Sequence, residues 1–237
     1  MNNFELNTFA NDVELAEHTA ALWLEQARKN PRQNVALSGG TISRLFFQKI
    51  AERAIAEKIF LSDVHFFWAD ERCVPPTDPE SNFALANENL FAKVNVQPDR
   101  IHRLCGELDQ TEAVIKANDE LGRIISPGTT DLPVLDTVFL GLGPDGHVAS
   151  LFPNARLEVL TCAQSFVSVE NSPKPPPKRI SLSYAAIAAA KEVWVLVSGA
   201  GKENALRESI SENGKTSLAR VLQMRSQTKI FTDVNFQ

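Results

Sequence analysis

The chain has 237 residues, 43% hydrophobic and 22% charged, a globular balance that can bury one substantial core and that argues against disorder. With 24 Lys and Arg against 29 Asp and Glu, the formal net charge of −5 excludes a general nucleic-acid-binding surface but leaves room for a local basic pocket. Cys73, Cys105 and Cys162 are odd in number, widely spaced and without a Cys-x-x-Cys pair, the pattern of idle thiols in a reducing compartment. The start, Met1-Asn2-Asn3-Phe4-Glu5-Leu6, has neither a basic nor an apolar leader region. No apolar run is long enough to span a bilayer, so a cytoplasmic location and a single domain over 1–237 are expected.

Apolar spacing predicts a helix from Val13 to Ala27, stopped by Asn30-Pro31. Val35-Ala36-Leu37 then reads as a strand, Ser38-Gly39-Gly40-Thr41 as a glycine turn, and Leu45–Ile55 as a helix. The aromatic strand Val64–Ala69 ends at Asp70-Glu71-Arg72, followed by a proline-rich loop to Ser81 and a helix over Asn82–Phe91. Glu112–Ile125 is amphipathic and is closed by Ser126-Pro127-Gly128. A third strand, Thr137–Leu140, meets Gly141-Leu142-Gly143-Pro144-Asp145-Gly146-His147. Phe166–Val169 is a fourth strand, Pro173–Pro177 is too stiff and donor-poor for regular structure, and Ala185–Lys191 is a short helix. Val193–Val197 runs into Ser198-Gly199-Ala200-Gly201-Lys202 and a helix from Glu203, and Lys229–Phe231 is a last strand. Alternating strands and helices predict an α/β fold with a mainly parallel, doubly wound sheet covered by helices on both faces. In such sheets ligands sit beyond the carboxyl ends of the strands, where the polar clusters of this chain fall.

Ser38, Gly39, Gly40 and Thr41 follow a strand and open a helix, so close backbone approach and free N–H groups suit an anion; a tight turn with a Ser cap is the plainer alternative. Asp70-Glu71-Arg72 is either a solvated rim or a polar site. Gly141-x-Gly143-x-x-Gly146 matches the dinucleotide fingerprint in letters but lacks its context, because Phe152-Pro153 cuts the following helix short and no clear acidic partner lies on the next strand. His147 stands after this loop at the expected start of a helix, where imidazolium is disfavoured, so a neutral ring able to accept a proton is expected. Among the other histidines, His65 lies in a strand, His18 in a helix and His102 in a connection. Arg179 and Lys202 could be site or surface cations, while Lys174 and Lys178 read as solvated. Lys202 lacks the upstream glycine of a P-loop, with Leu196 in that place. No His-x-x-x-His or paired Cys/His set calls for zinc, and no cofactor is expected.

Together these segments resemble the 6-phosphogluconolactonase family of the glucosamine/galactosamine-6-phosphate isomerase superfamily. The resemblance rests on Ser38–Thr41, Asp70–Pro75 with Ser81-Asn82, the long block Gly141–Pro153, the Pro-rich approach to Arg179-Ile180-Ser181-Leu182, and Gly199 with Lys202. It departs at Ile42-Ser43-Arg44, where the family's first loop usually continues into a proline. The resemblance implies a Rossmann-like fold and hydrolysis of a phosphorylated sugar lactone without metal. It implies that Ser38–Thr41, Arg179 and Lys202 hold the phosphate and that His147 is the general base. Arg72 would meet carboxylate or oxyanion charge, or the phosphate, and Asp70 would orient His147 or pair with Arg72. The related glucosamine-6-phosphate deaminases carry a glutamate in the later block that Ala149-Ser150-Leu151-Phe152-Pro153 lacks, and Arg72 stands where they have an aromatic residue. A non-catalytic phosphosugar sensor is the other alternative, but no helix-turn-helix extension is seen ahead of Asn34.

Overall fold

The computed structural model describes residues 3–126 and 131–234; the expected helix stop at Pro127-Gly128 lies outside them. The elements begin with β1 (Glu5–Thr8), α1 (Asp12–Lys29), β2 (Gln33–Leu37), α2 (Thr41–Ala56), β3 (Val64–Trp68) and β4 (Asp70–Arg72). Next come α3 (Asn82–Ala86), continued by a π-helical turn (Asn87–Phe91), then α4 (Gln110–Ile124), β5 (Thr137–Gly141) and α5 (Leu157–Leu160). The chain closes with β6 (Phe166–Val169), β7 (Arg179–Leu182), α6 (Tyr184–Ala189), β8 (Glu192–Val197), α7 (Glu203–Ser209), α8 (Ser217–Gln223) and β9 (Lys229–Thr232).

Local chemistry accounts for the first helix. Asn11 caps α1 by accepting from Glu14 N at 2.9 Å. Asp12 and Glu14 occupy its positive end, and Arg28 and Lys29 its negative end. Its buried face, Leu15, Thr19, Ala20, Trp23, Leu24 and Ala27, repeats at three and four residues and packs on the sheet. Trp23, Phe46 and Trp194 surround Phe139 with ring centroids 4.9–5.9 Å apart, the two tryptophans edge-on, which locks the middle of β5.

The main sheet is entirely parallel, in the order β1-β9-β8-β5-β2-β3. From β2 the chain winds outward to β3, and from β5 it winds the opposite way to β8 and β9. Right-handed crossovers then place α1 and α2 on one face and the later helices on the other. The β2/β5 boundary is therefore the topological switch point, where the loops leaving two adjacent strands diverge and open a crevice.

A second sheet, β4-β7-β6, is antiparallel. It corrects the expectation that Phe166–Val169 joins the parallel sheet, and it makes Asp70-Glu71-Arg72 a strand rather than a rim. The chain passes between sheets at Ala69, whose N–H donates to Leu37 O at 2.7 Å and whose carbonyl accepts from Leu182 N at 2.7 Å. Glu71 is buried and accepts from the backbone N–H groups of Arg72, Asn82 and Phe83 and from Ser81 Oγ. Burial pushes its carboxyl up, and these four donors oppose the rise. Glu71 thereby staples the proline-rich loop to β4 and leaves Asp70 and Arg72 to face the crevice.

Candidate active site

The crevice holds a cavity of about 340 Å³ walled by both sheets, a size suited to a small ligand. Its floor is the turn after β2. Gly40 has φ of 102°, a left-handed conformation that glycine adopts without strain, and it starts α2 with no side-chain cap. The uncapped N–H groups of the first turn are free to meet an anion. Gly39 is fixed by close approach: a Cβ there would fall 1.8 Å from Asn82 Oδ1. Ser38 and Thr41 differ from each other in role. Ser38 is buried and its hydroxyl donates to Phe139 O at 2.9 Å, tying β2 to β5. Thr41 is exposed at the cavity.

His147 stands on the cavity wall contributed by the loop after β5. No helix starts there. The segment forms turns closed by Gly143 N to His147 O at 2.8 Å and Gly146 N to Gly143 O at 2.9 Å, and the next helix is the four-residue α5. The helix-dipole reason for a neutral ring is thus overturned. Burial does that work instead, lowering the His147 pKa, while the hydrogen bond and charge of Asp145 pull it back upward. Burial also pushes Asp145 up, but the bond and charge of His147 outweigh it and leave the carboxyl below its ordinary value. Asp145 Oδ1 lies 2.5 Å from His147 Nδ1. An ionised Asp145 accepts a hydrogen bond there, which places the hydrogen on Nδ1 and frees Nε2 as the base. The ring also packs on Phe152 at 4.7 Å, and a Cβ on Gly143 would lie 2.0 Å from Nδ1. That crowding explains the second glycine of the motif.

Asp70 fills neither of its two expected roles. Its carboxylate accepts from Ser150 Oγ at 2.6 Å and Asn82 Nδ2 at 3.1 Å, and among the described residues it makes no ion pair with Arg72 and no hydrogen bond to His147. It lines the cavity, and its charge is one of those that favour protonated His147. The β4/β7 register sets Arg72 opposite Arg179. Arg72 donates to Glu80 O and lies 3.5 Å from Glu80 Oε2, and its Nε is buried without a protein partner. Arg179 is buried and spends Nε and Nη2 on the carbonyls of Pro176, Lys174 and Pro175 at 3.0–3.3 Å. It therefore brackets the Pro-rich loop, with Nη1 left uncommitted among the described contacts. Lys202 is half-buried and donates to Leu142 O at 2.7 Å, and burial with the nearby charge of Lys174 lowers its pKa.

Lys174, read from sequence as solvated, instead lines the cavity, and its charge also depresses His147. Asp145 and Asn82 were not singled out either. Asp145 had a visible signal, lying two residues before the histidine in one tight turn, whereas Asn82, quoted above only for the resemblance, lines the cavity and donates from Nδ2 to Asp70. The opening thus combines a neutral imidazole, four cationic side chains and an uncapped helix start, which can hold an anion at one end and draw a proton from water at the other. Among the described residues no group of three or more His, Cys, Asp or Glu side chains is arranged to hold a metal.

Residues 10–231 match the family described as glucosamine-6-phosphate isomerases/6-phosphogluconolactonase. A probable chloroplastic 6-phosphogluconolactonase of Oryza sativa subsp. indica is 34% identical over 220 residues, covering 90% of this chain but just under two thirds (66%) of its own length. A 6-phosphogluconolactonase of Aggregatibacter actinomycetemcomitans is 32% identical over 201 residues, 85% of this chain and 83% of its own. The structure of 6-phosphogluconolactonase from Thermotoga maritima superposes with a TM-score of 0.80 at 26% identity, covering 97% of this chain and 98% of that one. With nearly its whole length matched and the switch-point cavity in place, the chain belongs to the glucosamine-6-phosphate isomerase/6-phosphogluconolactonase family.

Proposed function

We propose that this protein is an enzyme that hydrolyses 6-phospho-D-glucono-1,5-lactone to 6-phospho-D-gluconate, the lactonase step of the oxidative pentose phosphate pathway. The observation that carries the reading is the Asp145–His147 pair facing a cation-lined cavity at the switch point. In this scheme the α2 start, Lys174, Lys202 and the free end of Arg179 hold the phosphate, and remote binding orients the lactone carbonyl. Nε2 of His147 takes a proton from water as its oxygen bonds to C1. Arg72 meets the charge that develops on the carbonyl oxygen. Collapse of the tetrahedral intermediate breaks the bond from C1 to the ring oxygen, which leaves with the proton carried by His147. The product carboxylic acid then ionises, and the imidazole is neutral again. Asp145 holds the tautomer and balances the imidazolium.

Cytoplasmic location remains our reading, supported by three free cysteines; among the described residues no helix is long and apolar enough to cross a membrane. The test offers purified protein the phosphorylated lactone and glucosamine 6-phosphate side by side, with and without EDTA, subtracting spontaneous lactone hydrolysis. Turnover of the lactone alone, unchanged by chelation, is expected. Deamination of the amino sugar, or binding with no turnover, would replace the lactonase reading by one of its rivals.

A further inference from the structure

The turn that carries His147 is braced from outside by the segment joining α7 to α8. Leu218 N donates to Gly146 O at 3.2 Å, and a Cβ on Gly146 would start 2.5 Å from both Cβ and Cγ2 of Thr216. Gly146 has φ of 82°, so the turn depends on glycine here for its backbone as well as for space. Thr216 is itself immobilised. It is buried, its Oγ1 accepts from Ala219 N at 3.0 Å as the cap of α8, and it shares a 2.6 Å hydrogen bond with Ser209 Oγ. Ser209 Oγ also lies 2.6 Å from Ala205 O, an acceptor only, so Ser209 donates there and Thr216 donates to Ser209. With donor and acceptor both committed, the Thr216 rotamer is fixed and its methyl stays against Gly146. At the other end of α7, Lys202 holds Leu142 O, so the α7–α8 unit grips the catalytic loop on both flanks of Asp145.

We propose that Thr216 is a positioning residue for His147, its locked methyl holding the Asp145-Gly146-His147 turn so that Nε2 stays aimed at the water that attacks the substrate carbonyl. The inference rests on the reading of His147 as the base. Thr216 lies beyond the segments that carry the family resemblance, it does not line the cavity, and it meets the catalytic turn at Gly146.

Two substitutions separate positioning from stability. Thr216→Ser keeps the hydroxyl, the cap and the Ser209 bond and deletes only the methyl. It is expected to lower kcat about five- to tenfold with KM within about twofold, because a small misplacement of a base is costly to the chemical step. Its melting temperature should stay close to that of the parent. Thr216→Val restores the methyl and deletes the hydroxyl, so it should recover most of the turnover while melting lower through the lost cap. Parent-like kcat in Thr216→Ser, or kcat and melting temperature falling together in both variants, would overturn the inference. Failure of the underlying reading is separately visible. Near-parent turnover in His147→Ala removes the base itself, whereas an inactive His147→Ala beside a fully active Thr216→Ser sinks only the role of Thr216.

Discussion

At the scale of single residues, activity turns on where one proton resides. His147→Ala should fold and melt near the parent yet lose turnover by a factor on the order of 10²–10⁴, the usual contribution of a general base. A histidine that merely filled the turn would do the reverse, lowering the melting temperature and sparing turnover. The pH profile carries a second, signed test. Burial lowers the His147 pKa from its ordinary 6.5, and Asp145 opposes that shift. The acid limb of kcat/KM should therefore lie below 6.5, and Asp145→Asn, which removes the opposing charge, should move it lower still while reducing turnover. Lys174→Ala removes a charge that disfavours imidazolium, so it should move the limb upward and also weaken binding of the phosphorylated lactone more than of its unphosphorylated analogue. Movement in the opposite direction for either variant would show that these two side chains do not set the base. The histidine, the glycine turn, Arg72 and Lys202 were legible in the sequence because each closes or follows a strand, and Arg179 because it ends the Pro-rich approach. Lys174 was not, since a lysine among prolines looks the same whether it faces solvent or a cavity, and only the Arg179 bracket fixes which.

Among the elements, β3 shows how an edge strand can be guarded by a polar relay. Its free side is partly covered by the connection after Pro98–Arg100, where Ile101 bridges Phe66 and His102 N donates to Phe66 O at 2.8 Å. Arg100 Nη1 donates to His65 Nε2 at 2.7 Å, so His65 carries its proton on Nδ1 and donates to His102 Nε2 at 2.8 Å. His102 then donates from Nδ1 to Glu120 Oε1 at 2.7 Å, and Arg123 holds the same carboxylate. The chain of donors works only with both rings neutral. Burial lowers both histidines, with His102, Arg100 and Arg32 adding to it at His65 against Asp99, and with Glu120 opposing it at His102 against Arg123 and Arg100. For a histidine whose folded pKa lies below 6.5, the unfolded chain binds more protons as pH falls, so stability is full above about 6.5 and declines below it. Glu120, drawn down to about 2 chiefly by Arg123, contributes above 4.5 and is lost only as pH falls from there toward 2. The urea midpoint should therefore drop between pH 6.5 and 5, and His102→Gln should flatten that drop; an equal slope in both proteins would remove the relay from the account. The strong periodic elements were readable, but this relay was not, because His65 and His102 are 37 residues apart and look idle in sequence. The short strands β1, β4 and β7 escaped for a related reason: Glu5–Thr8, Asp70–Arg72 and Arg179–Leu182 are three or four residues long and draw their pairing from distant partners rather than from local pattern.

Over the whole molecule, the proposed ligand lies where two sheets meet, and both sheets supply its walls. The parallel sheet supplies the Ser38–Thr41 and Gly141–His147 loops, and the antiparallel sheet supplies Arg72, Arg179 and, through the loop between β6 and β7, Lys174. Arg72 and Arg179 face one another across β4 and β7, and the charge of Lys174 disfavours the protonated forms of both His147 and Lys202. Such a concentration of like charge weakens the unliganded fold and is relieved by an anion. The product 6-phospho-D-gluconate should therefore stabilise the protein as a whole, since binding to the folded state alone adds RT ln(1 + [L]/Kd). At one hundred times Kd this is about 2.7 kcal/mol. For a chain of this size that corresponds to a rise in melting temperature of roughly 5–10 °C. Unphosphorylated gluconate at the same concentration lacks the group that the α2 start and the lysines would read, and it should raise the melting temperature far less. Lys202→Ala should remove most of the difference between the two ligands, whereas Thr216→Ser, which leaves the anion contacts intact, should preserve it. Equal stabilisation by both gluconates would mean that the cavity reads the carboxylate or the hydroxyls and not the phosphate, and the assignment of its cationic end would have to be reversed.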